Sequence, residues 1–332
     1  MFSTKTLLQI LINTLIGVVL IFIWLQFIDG SKLLDTLKKV DLKYTLVFFI
    51  LYASSSVVRA LRLKVILDEF KIPWKNLIFL NFLSQLLSFF IPIRAGEISK
   101  SVYLNTQYSL PLGKTIIWIL IDRFFDFWFA LAAIGILINF TSSKLPSNFT
   151  QILVIILGIF TLVSILVITQ VNFFKKLLRL LSSLFFLKIL KNKFLSFSFN
   201  ILDGFAVLRK NPWQILSLLG LTAFAFLLDG LIWLFLFLAF GLNITLIQAY
   251  LGNLLSALTF LIPSAPGYIG SAEASALAIF SGILGLNSNI VAASTVLGHI
   301  LTTLALLILG IGAIYFLKFD LGLVWKKMLK RG

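Results

Sequence analysis

Charged residues are rare inside the apolar stretches of this chain, and those that occur there come mostly in groups. Arg59 and Arg62 stand three residues apart, so on a helix they share one face. Asp122 and Asp126 are four apart and share a face, with Arg123 beside it. Arg94 and Glu97 follow Pro92 and flank Gly96, and Glu273 follows Pro263, Pro266, Gly267 and Gly270. Asp229 and His299 stand singly in apolar surroundings. A charge at such depth is costly unless it is paired or used. The chemistry these types point to is anion handling. A guanidinium fork makes two hydrogen bonds to a phosphate, and neighbouring carboxylates orient the fork or relay protons. A helix starting after the Pro92 break would add free backbone N–H groups. Plainer roles stand beside these. The 122–126 group could be a structural ion pair locking helices, Arg59 and Arg62 could snorkel to a leaflet, and Asp229 and His299 could be paired structurally.

Other chemistries find no residues. With no cysteine and one histidine, thiol catalysis, disulfides and the usual zinc sets are excluded. No hydrolase elbow, Walker loop or dinucleotide fingerprint occurs. The expectation is a protein that is not an enzyme and needs no cofactor.

The elements that position these groups are membrane helices. The chain is 60% hydrophobic and 12% charged over 332 residues, with mean hydropathy +1.07. A globule in water could not hide that much apolar surface, whereas a bilayer removes the need. Period-two strands are missing, which argues against an outer-membrane barrel. The net charge of +16 is read as basic residues flanking apolar spans, not as a nucleic-acid surface. Three glycosylation-type triplets, at Asn139, Asn148 and Asn243, carry no weight.

The expected spans are Leu7–Ile28, Tyr44–Leu63, Thr115–Phe140, Gln151–Val171, Pro212 to about Phe240, and Ile290–Leu317. The first is too long for a signal-peptide core and lacks a cleavage site, so it is read as a span. A mixed-charge amphipathic stretch, Ser31–Lys43, belongs at an interface. Two apolar segments, Leu77–Ile91 and Ile247–Ile262, are short and end at Pro92 and Pro263. A basic amphipathic stretch, about 172–211, has Phe173, Phe174, Leu177, Leu178 and Leu181 on one face and Lys175, Lys176 and Arg179 on the other. That pattern suits a helix on an anionic leaflet, although a solvated linker accounts equally for its second half.

The two short segments resemble each other. Aligned without gaps, Leu83–Pro92 and Leu254–Pro263 share two Leu, Phe, Ile and Pro, with Gly96 and Gly267 four residues beyond each proline. Short Pro/Gly-broken segments at matching places in two halves point to a transporter site, and both are read as re-entrant helical hairpins. If each hairpin returns to its side of entry, six spans remain and both termini are cytoplasmic. That topology places 22 of the 28 Lys and Arg residues inside and five outside. The hairpins then enter from opposite sides. The expected fold is therefore an all-α polytopic membrane protein with six spans and two hairpins, eight hydrophobic segments in all. Its inverted-repeat halves are about 44–140 and 213–317, joined by the cytoplasmic 172–211 linker.

Four motifs together resemble a known family. They are Arg59-x-x-Arg62, Pro92-x-Arg94-Ala95-Gly96-Glu97, Asp122-Arg123-x-x-Asp126 and Pro266-Gly267-x-x-Gly270-x-x-Glu273. They are similar to motifs of the lysylphosphatidylglycerol synthase transmembrane family, a flippase-like group, over nearly the whole chain. The Pro-Gly/Glu motif is the most specific part. Tyr268 stands where many members carry a second glycine, and His299 stands near an arginine of their last span. A symmetric second charge site therefore does not follow from the resemblance. The aminoacyl-transferase domain of fused members is absent from this sequence, so no lipid synthesis is expected.

The resemblance implies a lipid transporter or flippase in the cytoplasmic membrane. Its substrate would be an anionic phospholipid or a polyprenyl-phosphate-linked lipid. Arg59, Arg62, Arg94 and Arg123 would hold the phosphate, and Glu97, Asp122, Asp126 and Glu273 would balance charge or relay protons. Pro92, Gly96, Pro263, Pro266, Gly267 and Gly270 would shape the two gates. Two other classes remain open: a membrane scaffold for a lipid-modifying glycosyltransferase, docking through the basic segment, and a small-solute permease.

Overall fold

The computed structural model describes residues 31, 35, 38–91, 95–141, 147–184, 188–209, 211–259 and 265–320. The expected first span, Leu7–Ile28, lies outside the described residues, as do Pro92, Arg94 and Pro263 and residues 32–34 and 36–37 of the 31–43 stretch. Among the described residues the regular structure is entirely helical.

Three helices are long and apolar enough to cross a bilayer: α1 (Lys43–Ile66), α8 (Pro212–Leu238) and the helix running from α11 (Ser288–Ala305) into α12 (Ile311–Leu317). At about 1.5 Å per residue each exceeds the roughly 30 Å of a hydrocarbon core. Two starts are set by side chains. Asn211 accepts a hydrogen bond from the Gln214 N–H at 3.2 Å, with Pro212 in the first turn of α8. Asn287 accepts from the N–H groups of Asn289 and Ile290 and so caps α11.

Of the five expected spans that fall among the described residues, two are not clear spans, for physical reasons. α4 (Leu112–Leu137) has the length, with 26 residues, but Asp122, Arg123 and Asp126 interrupt its apolar run. α5 (Ser147–Thr169) carries an apolar window, Val154–Val167, that meets α6 (Val171–Leu181) at a bend of 102°. α6 is strongly amphipathic, with Phe173, Leu177, Leu180 and Leu181 exposed on its apolar side. α7 (Lys188–Arg209) packs back on α6, and Lys175 pairs with Asp203 at 2.6 Å. The outer faces of α5 are a belt of exposed Ile, Leu and Val, a surface suited to lipid and not to water.

α2 (Trp74–Phe90) and α3 (Ala95–Tyr108) form an antiparallel pair about the break after Phe90. Three contacts fix the register. Gly96 lies against the Ser84 carbonyl, Lys100 Nζ donates to Asn81 Oδ1 at 3.1 Å, and Asn76 donates to the hydroxyls of Tyr103 and Tyr108. A Cβ at position 96 would sit 1.9 Å from that carbonyl oxygen, so only glycine allows the approach. α9 (Leu246–Thr259) packs in turn on α10 (Ser271–Ala276) and the π turn Leu277–Ile283 that continues it. Gly252 there faces the Phe280 ring.

Each helical pair packs across the molecule. Leu77, Leu80 and Leu83 of α2 share a core with Leu63 of α1 and with Ala313 and Leu317 of α12. Leu251 and Leu254 of α9 share another with Phe226 and Phe237 of α8 and with Ala130 and Ile134 of α4. α1 and α8 pack on one another between them. The two breaks meet where Phe89 lies against Tyr268, ring centroids 6.1 Å apart.

Candidate functional site

Four helices bring the charged groups together. α1 contributes Arg59 and Arg62 from one face, α4 contributes Asp122, Arg123 and Asp126, α8 contributes Thr222 and Asp229, and α3 contributes Glu97 and Lys100. α1, α3 and α4 deliver their groups at spacings of three or four and α8 at seven, the geometry of a shared face.

Arg62 is the centre. Its side chain is 1% exposed. Nε donates to Asp122 Oδ1 at 2.6 Å, Nη2 to Asp126 Oδ2 at 3.1 Å and Nη1 to Thr222 Oγ1 at 3.0 Å. Nη1 also donates to Asp126 Oδ1. Leaving such a group unpaired inside a bilayer would be costly, and here three helices satisfy it. Arg59 lies one turn away and is less buried. Its Nη2 donates to Asp229 Oδ2 at 2.5 Å, and Ser55 donates to Asp229 Oδ1 at 2.6 Å.

Arg123 is placed differently. Nη2 donates to Asp122 Oδ2 at 3.0 Å, and Nη1 lies 3.0 Å from Asp126 Oδ2. Nε has no hydrogen-bond partner among the described residues, its nearest carboxylate oxygen being Glu97 Oε1 at 3.5 Å. The side chain keeps 38% of its surface open and Glu97 keeps 25%. Arg123 is thus the accessible cation of the group, and Arg62 the sealed one.

The structure therefore joins Arg62, Glu97, Asp122, Arg123 and Asp126 into one network, with the Arg59–Asp229 pair one turn away along α1. Arg94 lies outside the described residues, although Glu97 places the end of its motif at the network's edge. Glu273 is not part of that network. Its Oε1 meets His299 Nδ1 at 2.8 Å, and its Oε2 accepts from the Gly270 N–H at 2.8 Å. The Pro266–Tyr268 turn before it needs left-handed backbone: Gly267 has φ 73° and Gly270 φ 83°. Tyr268 has φ 57°, a conformation that favours glycine, at the position where the related motif often has one.

Two participants escaped sequence reasoning. Asp229 stands singly in the sequence, and it is the counter-ion of Arg59 from 170 residues away. Lys100 carries no motif of its own in the sequence. It is buried beside Asn81, three residues after Glu97 and on the same side of α3. That i, i+3 spacing was the available signal. Ser55 and Thr222 offered none, since hydroxyls are common in apolar helices.

The arrangement defines a class: an all-helical integral membrane protein whose buried arginines and carboxylates gather at broken helices. The chain belongs to the lysylphosphatidylglycerol synthase transmembrane family, whose model, described as the lysylphosphatidylglycerol synthase TM region, matches residues 10–310. No curated protein and no solved structure matches it.

Proposed function

We propose that this protein is a lipid transporter of flippase type, moving an anionic or phosphate-linked lipid between the leaflets of the cell membrane without covalent chemistry. The observation that carries the reading is Arg123, a cation in an apolar helix whose side chain keeps 38% of its surface open beside a Glu97 that keeps 25%. A guanidinium so placed suits a lipid phosphate, while a headgroup that slides past it keeps its acyl chains in the bilayer. Arg59 lies at the edge of this site. Arg62, fully partnered, positions Asp122 and Asp126, which in turn orient Arg123. Glu97 supplies the exchangeable counter-charge.

The architecture supporting this reading is six spans and two re-entrant hairpins in an inverted repeat, with both termini cytoplasmic. Each broken pair packs on the long helix of the other half, and the two breaks meet at Phe89 and Tyr268, as two gates entering from opposite sides would. Dissipation of a lipid gradient or proton coupling would drive transport.

The test is translocation of headgroup-intact, tail-labelled phosphatidylglycerol in proteoliposomes. Wild-type protein should move it, and Arg123→Ala should be slower by about tenfold or more, the scale of a lost charge-assisted hydrogen bond. Full-rate transport by a folded Arg123→Ala protein would overturn the assignment of the site. No transport of anionic lipid or polyprenyl phosphate by wild type would overturn the transporter reading.

A further inference from the structure

Glu97 and Arg123 have a counterpart in the second half of the chain. Each acid precedes its cation by 26 residues: Glu97 and Arg123, Glu273 and His299. Each acid occupies the first turn of the helix that follows a break, α3 in one case and α10 in the other. Each cation sits on the long helix that comes next, α4 or α11. Each acid also faces its own cation, at 3.5 Å in the first pair and 2.8 Å in the second. Position in the fold, chain spacing and contact thus coincide, although the cation has changed from arginine to histidine.

The two pairs differ in access. Against the open Glu97 and Arg123, His299 and Glu273 keep only 17% and 12% of their side-chain surface. What covers the histidine comes from the two breaks. Phe89, at the end of α2, meets the ring edge-on at 5.6 Å, and the Gly267 backbone of the second break faces it. The groups that would move if a gate opened are the groups that now seal this pair.

Resting on the transporter reading, we propose that His299 and Glu273 form a second anionic-headgroup site, closed in this structure while the Arg123 site is open. The ligand class is a lipid phosphate, met by an imidazolium in place of a guanidinium. Glu273 engages Nδ1, which leaves Nε2 as the donor for a phosphate oxygen once the ring is uncovered. Histidine makes this site, unlike its counterpart, dependent on protonation of the imidazole. The elements packed on α11 leave few other groups to interfere. The second break presents Glu273 and Tyr268, α2 presents Phe89, and α1 and α8 meet neighbouring turns of α11 with Phe48, Tyr52, Trp233 and Leu236. Glu273 is the charged group at the ring among the described residues.

The experiment measures phosphatidylglycerol transport in proteoliposomes at about pH 5.5 and about pH 8, on either side of the ordinary imidazole range, for wild type, Arg123→Gln, His299→Gln and His299→Arg. Wild type should be faster at the lower pH. His299→Gln should lose about tenfold at that pH, and His299→Arg should transport at both pH values with the pH dependence gone. The arginine variant keeps the test decisive should the glutamine variant fold poorly. Arg123→Gln losing transport while both His299 variants match wild type at both pH values would overturn the second site and leave the transporter reading standing. No transport by wild type would overturn both.

Discussion

Arg62 and Arg123 show how one residue type takes two roles sixty-one positions apart. Arg62 meets Asp122, Asp126 and Thr222 from α4 and α8, so removing it leaves two carboxylates sharing Arg123 among apolar helices. Breaking a buried pair by deleting one partner costs about 3–5 kcal/mol. Arg62→Ala should therefore lower the unfolding temperature in detergent sharply. Arg62→Met combined with Asp122→Asn should recover much of the loss, because Asp126 and Arg123 then remain as a matched pair. Equal destabilisation by the single and double variants would show that shape, and not charge, is what Arg62 supplies. The sequence revealed that these residues share helical faces, because spacing alone fixes that. It did not reveal which arginine is sealed, because burial depends on α8, and Thr222 has no signature in sequence. The Asp229 partner of Arg59 was invisible for the same reason: the pairing crosses from α8 to α1, and no local pattern encodes it.

At the scale of elements, the breaks were legible because proline and glycine report backbone directly. Pro92 and Gly96 announced the end of α2 and the start of α3, and the observed helices stop at Phe90 and resume at Ala95. The 102° turn between α5 and α6 was legible only as a change from apolar to basic amphipathic sequence, which gives the boundary and not the angle. The π turns at Leu277–Ile283 and Leu306–Gly310 left no mark, since their residues are ordinary helix formers. Gly96 yields a direct test of the α2–α3 contact. A methyl group at 96 would overlap the Ser84 carbonyl oxygen and the Ser88 hydroxyl, and a backbone atom cannot swing aside as a flexible side chain does. Gly96→Ala should destabilise the protein by about 1–3 kcal/mol, the usual cost of overpacking. Gly220, on an exposed face of α8 with open space around it, is the control. Gly220→Ala should be neutral or stabilising by up to about 1 kcal/mol. Thermal unfolding of the two variants side by side checks the contrast, and a Gly96→Ala protein as stable as Gly220→Ala would refute the close approach.

For the whole molecule, the decisive feature is that each broken pair belongs to one half by sequence and packs on the other half in space. α2 rests on α12, and α9 rests on α4. On the transporter reading, movement of either long helix would displace the broken pair packed on it and so couple the two proposed charge sites. Phe89 and Tyr268 stand where the two breaks touch, 6.1 Å between ring centroids. If the breaks are gates, they cannot both stay in contact while a headgroup passes between the Arg123 and His299 sites. Tethering them should then stop transport without unfolding anything. The chain has no cysteine of its own, so a Phe89→Cys and Tyr268→Cys pair is chemically unique in it. A short, cleavable thiol cross-linker on that pair should abolish lipid translocation, and cleavage should restore it, while either single variant treated alike keeps its rate. Full-rate transport by the cross-linked protein would mean that lipid moves along the outside of the helices with the breaks at rest. The ion-pair network would then serve the fold and not the passage.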